Sequence, residues 1–434
     1  MILSPRDCPP ELPPLEQLHY HSHFQPIYSL AHRRTIGVEG LLRAQTAEGQ
    51  PIPPRQLFDQ TKDPARLDTI ARQLHLAQFA RTQRQDIWLF INAATTGFLD
   101  HPDCAARFGQ ELAQAGIPAE QIVLEVLEDA YHDIGRLGET VSAFRALGCL
   151  IAVDDFGAGH SNVDRLWRLA PDIVKLDRSL VHDAATQSRA RAMLPKLVAL
   201  MHEMGALVLT EGVETEEEGL AALESECDFV QGFWFARPAA VWPSDAEITP
   251  RLDLLWTDYA QRQADQNNAV SHAYRSGQTF FEAAIQQISA GEPLTEAAKY
   301  LLEQPGVLRC YLLDEKGRQH GGNLEGRGLQ LHNTLHTSNQ RFSPLSDTQG
   351  AIWSRRTYFQ QAIASPGTLQ YSRPYLSLTR PTPCITLSQT VMSGAELKVL
   401  CADLDWHRFV AGEAFLLPNL CLSDWRYSEQ PPRS

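Results

Sequence analysis

The chain has 434 residues, of which 43% are hydrophobic and 21% charged, and its formal net charge is −14. This length predicts about two domains. The negative charge argues against binding to polymeric nucleic acid, which needs a basic surface, although a small anionic ligand can still be held through bound cations. No apolar run approaches the roughly 18 residues that cross a bilayer, and the N-terminus lacks the basic and apolar segments of a signal peptide. We therefore expect a cytoplasmic protein with no membrane span, whose eight scattered cysteines are reduced thiols.

A hairpin opens the predicted fold. HFQPIYSL and RTIGVEGLLR are strand-like runs joined by only a few polar residues. A connection this short cannot contain the crossover helix that two parallel strands require. We therefore predict that the first two strands form an antiparallel pair.

Later apolar runs alternate with helix-like stretches up to about residue 240. They are IWLFIN (87–92), QIVLEVLE (121–128), CLIAVDDFG (149–157), DIVKLD (172–177), ALVLTEG (206–212) and FVQGFWF (229–235). Buried strands that alternate with helices predict a parallel sheet, and their number favours a closed barrel over an open sheet. The predicted fold class is therefore α/β, a modified (β/α)8 TIM-type barrel with an antiparallel first strand pair.

The segment AAVWPSDAEITP (239–250) predicts a boundary after the barrel. In the polar stretch that follows, apolar residues recur at helical spacing: Leu252, Leu255, Trp256 and Tyr259. We predict a connecting helix whose apolar stripe needs a partner, either its own barrel or a second chain. Helical segments and then β hairpins predict a smaller α+β domain beyond it. The predicted division is 1–250 for the barrel, 251–290 for the connecting helical segment and 291–434 for the C-terminal domain.

Polar residues fall within the predicted barrel strands or at their C-terminal ends. They are Glu39, Asn92, Glu125, Asp154, Asp155, Lys175, Asp177, Glu211 and Gln231. The C-terminal face is where (β/α)8 barrels build their active sites. Carboxylates that converge there raise one another's pKa unless counter-charge is present, and bound divalent cations are the simplest counter-charge. An all-oxygen set of ligands suits Mg²⁺ or Mn²⁺.

Two adjacent aspartates, Asp154 and Asp155, point in different directions from one strand end and can therefore serve two ions. A pair of cations activates water and stabilises the leaving oxygen in phosphodiester hydrolysis. Lys175 would hold or deprotonate the attacking water, its pKa lowered by the nearby cations. For any single residue, the alternative is a salt bridge inside the barrel. For the whole set this alternative is disfavoured, because buried charges without a function are costly.

The motifs FQPIYSL, VEGLLR, FIN, LEVLED, DDFGAG, KLD, EGVET and QGFWFARP resemble, in the same order, the motif series of EAL-domain phosphodiesterases. The resemblance covers about residues 20–240. It implies a modified barrel with an antiparallel first strand pair. It also implies that the protein hydrolyses cyclic di-GMP to the linear dinucleotide, using two Mg²⁺ or Mn²⁺ ions.

The resemblance also implies roles for individual residues. The implied metal ligands are Glu39, Asn92, Glu125, Asp154, Asp155 and Glu211. Lys175 matches the water-activating lysine and Gln231 the glutamine that supports the water. Glu128 matches the glutamate that braces the DDFG loop, and Glu214 matches the second acid of EGVE, so both join the implied catalytic set. On the substrate side are Gln25, Asp177 and Arg43, the last of which would contact a phosphate.

The sequence departs from the family pattern in three places. Gly40 stands where the family has alanine, and loss of a methyl group should loosen the strand slightly without removing a ligand. LEVLED and the loop DDFGAGHSN also differ from the family's usual sequences. Both lie on the loop that couples metal binding to dimerisation in the family. We therefore expect them to affect rate and regulation more than the reaction itself.

The stretch WSRRTYFQQAIASPGTLQYSRPYLSL (353–378) resembles the single-Cache or PAS-like sensory fold. This resemblance implies that Arg356, Tyr358 and Tyr375 line a pocket for a small anion or amino acid. The alternative is that the aromatic residues are core and the arginine is paired at the surface. We predict that this domain regulates the barrel, within a homodimer.

The sequence thus indicates an active cyclic di-GMP phosphodiesterase. A receptor that binds cyclic di-GMP without cleaving it is the main alternative. Family members of that kind usually lack one or more metal ligands, and here none of the implied ligands is missing. The sequence also allows a third interpretation, a competent domain that acts mainly as a partner-binding switch.

Overall fold

The computed structural model describes residues 12–93, 99, 103–127, 134–159, 163–327, 347–377 and 383–415. The chain divides into two compact units, Met1–Ala260 and Gln261–Ser434, which we call the barrel unit and the C-terminal unit. None of the helices in the described ranges is both long and apolar enough to span a membrane. The six cysteines in these ranges are all unpaired, buried thiols.

The barrel unit alternates strands and helices. Its strands are β1 (His19–Ser29), β2 (Arg34–Gln45), β3 (Pro51–Ile52), β4 (Trp88–Asn92), β5 (Ile122–Leu127), β6 (Leu150–Phe156), β7 (Ile173–Leu176), β8 (Leu207–Thr210) and β9 (Phe229–Val230). Its helices are α1 (Pro54–Gln60), α2 (Pro64–Ala80), α3 (Cys104–Ala115), α4 (Ile134–Leu147), α5 (Val163–Leu169), α6 (Arg178–Thr186), α7 (Ser188–Glu203), α8 (Glu216–Glu224) and the first part of α9 (Asp245–Ser289).

Eight of these strands close into a barrel, in the order β1-β9-β8-β7-β6-β5-β4-β2, and β1 pairs with β2 to complete the ring. β1 is antiparallel to both of its neighbours, whereas the other seven strands of the ring pair in parallel. The predicted barrel with an antiparallel first pair is therefore confirmed. The short β3 extends the sheet outside the ring, beside β2.

The run FVQGFWF predicted a strand over residues 229–235, but the observed strand β9 ends at Val230. Gly232 passes so close to Val213 that a Cβ atom there would lie 2.0 Å from the Val213 carbonyl oxygen. The chain turns at this contact, so residues 231–235 do not continue the strand. Gln231 lies directly at the strand end as a result.

The apolar stripe of α9 packs against its own barrel. Leu252 and Leu255 are completely buried in the barrel core, and the Trp256 indole Nε1 donates to the carbonyl oxygen of Leu30 at 2.8 Å. Of the two partners that the sequence left open for this stripe, the structure provides the barrel. The barrel unit accordingly extends beyond residue 250, to Ala260.

The C-terminal unit is built on an antiparallel sheet. Its strands are β10 (Val307–Asp314), β11 (Gln319–Glu325), β12 (Gln370–Tyr371), β13 (Tyr375–Leu376), β14 (Pro383–Ser393) and β15 (Glu396–Asp405), in the order β11-β10-β15-β14-β12 with β13 also on β14. Its helices are the second part of α9, α10 (Leu294–Ala297), α11 (Lys299–Leu302), α12 (Thr357–Ala364) and α13 (Trp406–Val410). One apolar cluster joins α9 to the sheet, and another joins α12 to it. The Cache- or PAS-like type of this unit stays a prediction.

We expect Leu252→Ala to lower the free energy of unfolding of the barrel unit by about 2–5 kcal/mol, because it removes a fully buried side chain and leaves a cavity. Leu254→Ala is the matched control, since Leu254 lies on the same helix and is 46% exposed. Its cost should stay within about 0.5 kcal/mol. Denaturant unfolding followed by tryptophan fluorescence measures both, and equal costs would contradict the packing described for α9.

Candidate active site

The barrel interior is built in two layers. The lower layer is apolar: Ile27, Phe90, Val123, Ala152, Ile173, Leu209 and Phe229. Side chains alternate along a strand, so the residue two positions away lies on the same side of the sheet. In the parallel strands, moving two positions towards the C-terminal face gives the second layer: Asn92, Glu125, Asp154, Lys175, Glu211 and Gln231. β1 runs in the opposite direction, so its contribution comes two positions earlier, at Gln25.

Lys175 is the centre of the second layer. Its Nζ lies 2.5 Å from Glu125 Oε1, 2.9 Å from Asp154 Oδ1 and 2.5 Å from Glu211 Oε1. Lys175 and Glu125 are both only 1% exposed. Three carboxylates thus converge on one buried ammonium group: Glu125 from β5, Asp154 from β6 and Glu211 from the residue directly after β8.

Glu39 reaches the same centre from β2. The Asn92 amide Nδ2 donates to its Oε1 at 3.0 Å, and the Gln231 amide Nε2 donates to its Oε2 at 2.9 Å. The Gln231 Oε1 atom is buried and has no hydrogen-bond partner among the described residues. It is therefore available to accept a hydrogen bond from a molecule in the site.

Asp154 and Asp155 present their carboxylates differently, because Asp154 is buried and Asp155 is exposed. The backbone of Asp155 is left-handed, with φ 57°, a conformation that aspartate adopts more readily than most residues. Its N–H donates to Asp154 Oδ1 at 3.0 Å. Gly157 follows with φ 104°, where a Cβ would lie 2.4 Å from Leu180 Cδ1. The turn after β6 is thus tightly constrained.

The electrostatics of the centre favour added positive charge. Burial raises the pKa of Glu125 and of Glu211, and neighbouring carboxylates add to the effect while Lys175 opposes it. Burial also raises the pKa of Asp155, with a further contribution from Asp154. For Lys175, burial alone would lower the pKa, but Glu125 and the other carboxylates outweigh it and raise the pKa well above its usual range. One ammonium group therefore balances only part of the negative charge.

Two groups of carboxylates have the geometry to hold divalent cations. Glu39, Glu125 and Glu211 form one, and Asp154, Asp155 and Glu211 form the other. Within each group one oxygen from every residue lies within 4.8 Å of the others. Glu125 Oε2 is buried and has no hydrogen-bond partner among the described residues. Oxygen donors of this kind fit Mg²⁺ or Mn²⁺, and the shared Glu211 places the two candidate sites side by side.

The residues expected on the substrate side lie around this centre. Gln25 lines a cavity of about 220 Å³ together with Glu39, Glu211 and Gln231, and its amide donates to the Ala236 carbonyl at 3.2 Å. Arg43 lines another cavity, of about 340 Å³, in which Asn92 also takes part. Asp177 caps α6, since its Oδ1 accepts from the backbone N–H of Ser179 at 3.0 Å, and its charge also contributes to the raised pKa of Asp155.

Part of the expected site lies outside the described residues. This applies to Glu128 and to the end of the DDFGAGHSN loop at 160–162. The predicted effect of LEVLED and DDFGAGHSN on rate and regulation therefore stays a prediction.

Two residues near the centre were missed by sequence reasoning. Arg178 forms a bidentate ion pair with Glu214, at 2.7 and 2.8 Å, and lines the same cavity as Glu211. The available signal was its position directly after the strand-end motif KLD. His75, on α2, fills the space beside Gly40, where a Cβ would lie 2.8 Å from its Cγ. The His75 ring thus occupies the space that a side chain at position 40 would take, and nothing in the local sequence pattern indicated this contact. The expected loosening of the strand stays a prediction.

Comparison with known proteins gives the family. The EAL domain family model matches residues 13–238, more than half of the chain, so the chain belongs to the EAL domain family. Over 233 residues it is 30% identical to the cyclic di-GMP phosphodiesterase RocR of Pseudomonas aeruginosa, covering 52% of this chain and 58% of that protein. Over 226 residues it is 32% identical to an uncharacterized protein of Azorhizobium caulinodans, covering 50% of this chain and 31% of that one. The chain thus spans less than two thirds of either curated relative.

Among solved structures, the chain resembles the YkuI protein of Bacillus subtilis, which has an EAL domain and was crystallised in complex with its substrate c-di-GMP and calcium. The TM-score is 0.74 at 20% identity, covering 93% of this chain and 98% of that one. The likeness shows that the two proteins share a fold over nearly the whole of both chains.

We expect Mn²⁺ to raise the melting temperature of the protein, because a ligand that binds only the folded state stabilises it by about 2.7 kcal/mol at 100 times its Kd. Glu211→Gln should abolish most of this gain, since Glu211 belongs to both carboxylate groups. Glu203→Gln, at an exposed position on α7, should keep it. Thermal melts in EDTA and in Mn²⁺ give the comparison. A Glu211→Gln protein stabilised as strongly as the wild type would count against these metal sites.

Proposed function

We propose that the barrel unit is a metal-dependent phosphodiesterase that hydrolyses cyclic di-GMP to the linear dinucleotide. The observation that carries the proposal is the pair of carboxylate groups that share Glu211 beside the buried Lys175. Membership of the EAL domain family supports it, as does the relative RocR, which is named a cyclic di-GMP phosphodiesterase.

In this proposal six residues hold two Mg²⁺ or Mn²⁺ ions: Glu39, Asn92, Glu125, Asp154, Asp155 and Glu211. When bound, a pair of such ions supplies water activation and charge stabilisation of the leaving oxygen. Asn92 and Gln231 orient Glu39 by donating to its two oxygens. The Gln231 Oε1 atom has no hydrogen-bond partner within the part of the chain that the structure describes, and it is suited to accept a hydrogen bond from the attacking water.

Lys175 has two candidate roles, to hold the attacking water or to deprotonate it. The raised pKa of Lys175 among its carboxylate partners favours an ammonium that donates hydrogen bonds and so holds the water. Deprotonation by Lys175 becomes favourable only when bound cations take up the charge of those carboxylates. Either role requires the amine at the position that Glu125, Asp154 and Glu211 fix.

The substrate side is assigned from position and charge. Arg43 and Gln25 line the two cavities that adjoin Glu39 and Asn92, and a guanidinium group suits a phosphate. Glu214 forms an ion pair with Arg178, and both residues line the same cavity as Gln25. We therefore propose that Glu214 acts by holding Arg178 in position. Asp177 contributes through the N-cap of α6, directly after the strand that carries Lys175.

The purified chain should convert cyclic di-GMP to the linear dinucleotide in Mg²⁺ or Mn²⁺ and not in Ca²⁺, whose longer bonds and looser geometry misplace the attacking water. Lys175→Ala should reduce turnover by at least about a hundredfold, as expected for loss of an acid–base group. Lys196→Ala, at an exposed site on α7, is the control and should leave turnover unchanged. Product is measured by liquid chromatography.

Two outcomes would contradict this scheme. Tight binding of cyclic di-GMP without product in Mn²⁺ would support the receptor interpretation instead. Turnover by Lys175→Ala at nearly the wild-type rate would show that the water is handled by another residue.

For the C-terminal unit, the proposal is a regulatory module that binds a small ligand. Its sheet carries a buried ion pair, Arg309 Nε to Asp403 Oδ2 at 3.3 Å. The hydroxyl groups of Tyr311 and Thr386 donate to Asp403 Oδ1 at 3.2 and 2.8 Å. A buried ion pair of this kind has a high desolvation cost. Arg309 and Asp403 both line a small polar cavity.

The three residues expected to line a pocket, Arg356, Tyr358 and Tyr375, all border this cavity. The Arg356 guanidinium lies 5.2 Å from the centre of the Tyr375 ring, and the Tyr358 and Tyr375 rings stack at 6.1 Å. The cavity measures about 20 Å³, which is room for about one water molecule. A ligand of the predicted kind, a small anion or an amino acid, would therefore have to be very small, or the cavity would have to open to admit it.

We expect Arg356→Ala to change the turnover of the full-length protein by at least about fivefold, the lower end of typical coupling between two sites. Arg355→Ala is the control, because Arg355 is the exposed neighbour and does not border the cavity. Equal turnover in all three proteins would remove the regulatory role of this pocket.

The homodimer and the cytoplasmic location stay predictions. The stripe on α9 no longer argues for a second chain, because it is buried in the barrel of its own chain. Light scattering on the full-length protein, and on a fragment that ends at Ala260 so as to keep Leu252 and Leu255, tests the dimer. The unpaired thiols in the described residues agree with a reducing compartment.

A further inference from the structure

Gly40 lies in β2, directly after Glu39. Gly40 does not have the positive φ angle of a left-handed backbone, so the conformation of the strand does not require glycine here. The need is for space: a Cβ at this position would lie 2.8 Å from Cγ and 3.0 Å from Cδ2 of His75. The absence of a side chain lets the imidazole ring contact the backbone of β2.

His75 connects this contact to the other strand of the hairpin. The residue lies on α2 and is 3% exposed. Its Nδ1 is hydrogen bonded to the hydroxyl group of Ser22, which lies on β1 and is completely buried. β1 and β2 pair in register around this point, with Phe24 opposite Gly40. The imidazole therefore touches β2 and is tied to β1 at the same time.

The contact lies on the opposite face of β2 from the metal centre. Val38 and Leu42 pack in apolar clusters outside the barrel, and Gly40 meets His75 on that side, whereas Glu39 faces the interior. The Glu39 carboxylate is held from the interior by Asn92 and Gln231. The backbone of Glu39 is held from the outer side of β2 by the His75 ring, which packs on Gly40.

We propose that His75 is a positioning residue that fixes Glu39 in the metal centre, and that Gly40 and His75 form one compensating pair. This inference rests on the proposed function, in which Glu39 is a metal ligand. Residues that orient a ligand in this way typically change metal affinity by 10- to 100-fold when altered. A methyl group at position 40 would displace the ring or the strand, and loss of the ring would leave the strand unsupported.

The imidazole acts through shape and hydrogen bonding. Burial lowers the pKa of His75 to about 4, and Arg43 adds to the effect. The ring is therefore neutral at neutral pH, so that a smaller side chain able to hydrogen bond with Ser22 can take its place. Asparagine meets that requirement and frees space for a methyl group at position 40.

The test is a double-mutant cycle in the full-length protein, with Mn²⁺ alone as the probe. Gly40→Ala and His75→Ala should each weaken Mn²⁺ binding by about 10- to 100-fold in titration calorimetry. The double variant Gly40→Ala/His75→Asn should bind within about threefold of the wild type, because coupled neighbours are not additive. Gly138→Ala, at a glycine with no atoms within 4 Å of an added Cβ, should bind normally.

Melting temperatures in EDTA separate positioning from stability. If His75 positions Glu39, the double variant should regain most of the Mn²⁺ affinity that Gly40→Ala loses. This gain should be larger than any accompanying gain in melting temperature would explain. The inference is overturned if the single variants lower the melting temperature but bind Mn²⁺ like the wild type, or if the double variant binds no better than Gly40→Ala. If Gly40→Ala does not fold, the comparison of His75→Ala with His75→Asn decides, and equal affinities in those two overturn it. A wild type that binds no Mn²⁺ would instead refute the proposed function.

Discussion

The buried ammonium group of Lys175 and the carboxylates around it determine how the barrel interior is organised. Glu125, Asp154 and Glu211 approach it to within 2.9 Å or less, and none of these charges could remain in an apolar interior alone. One cation does not neutralise three carboxylates together with Glu39 and Asp155. The site therefore carries more negative charge than its one ammonium group balances. Burial raises the pKa of Glu125 and of Glu211, and the neighbouring carboxylates add to the effect.

The barrel interior accommodates this concentration of charge because its apolar and polar side chains lie in separate layers. An apolar layer that includes Phe90 and Ile173 closes the interior below the charges, and each strand then places a polar side chain two residues further on. The antiparallel β1 obeys the same rule in reverse, which brings Gln25 to the same face. A single geometric property, the alternation of side chains along a strand, thus separates the part of the interior that provides stability from the part that can bind cations.

The two units use buried charge in different settings. In the barrel, the charged residues lie at the open end of the strands, where cavities adjoin them. In the C-terminal unit, Arg309 and Asp403 are paired in the middle of the sheet and satisfied by hydroxyl groups, beside a cavity with little free volume. In the first arrangement Glu125 Oε2 and Gln231 Oε1 have no hydrogen-bond partner among the described residues, whereas in the second the Asp403 carboxylate is held by Arg309 and two hydroxyl groups. This contrast supports assigning the proposed chemistry to the barrel.

The sequence by itself determined the order of the strands, the antiparallel first pair and the polar residues at the strand ends, because these follow from local periodicity and connection length. The motif series also determined the family. Only the tertiary structure decided which carboxylates share a site, that the stripe with Leu252 packs on its own barrel, and that β9 ends at Val230. It alone showed that His75 fills the space at Gly40. Each of these depends on contacts between residues far apart in the chain, and no local pattern of residue types encodes the distance between two side chains.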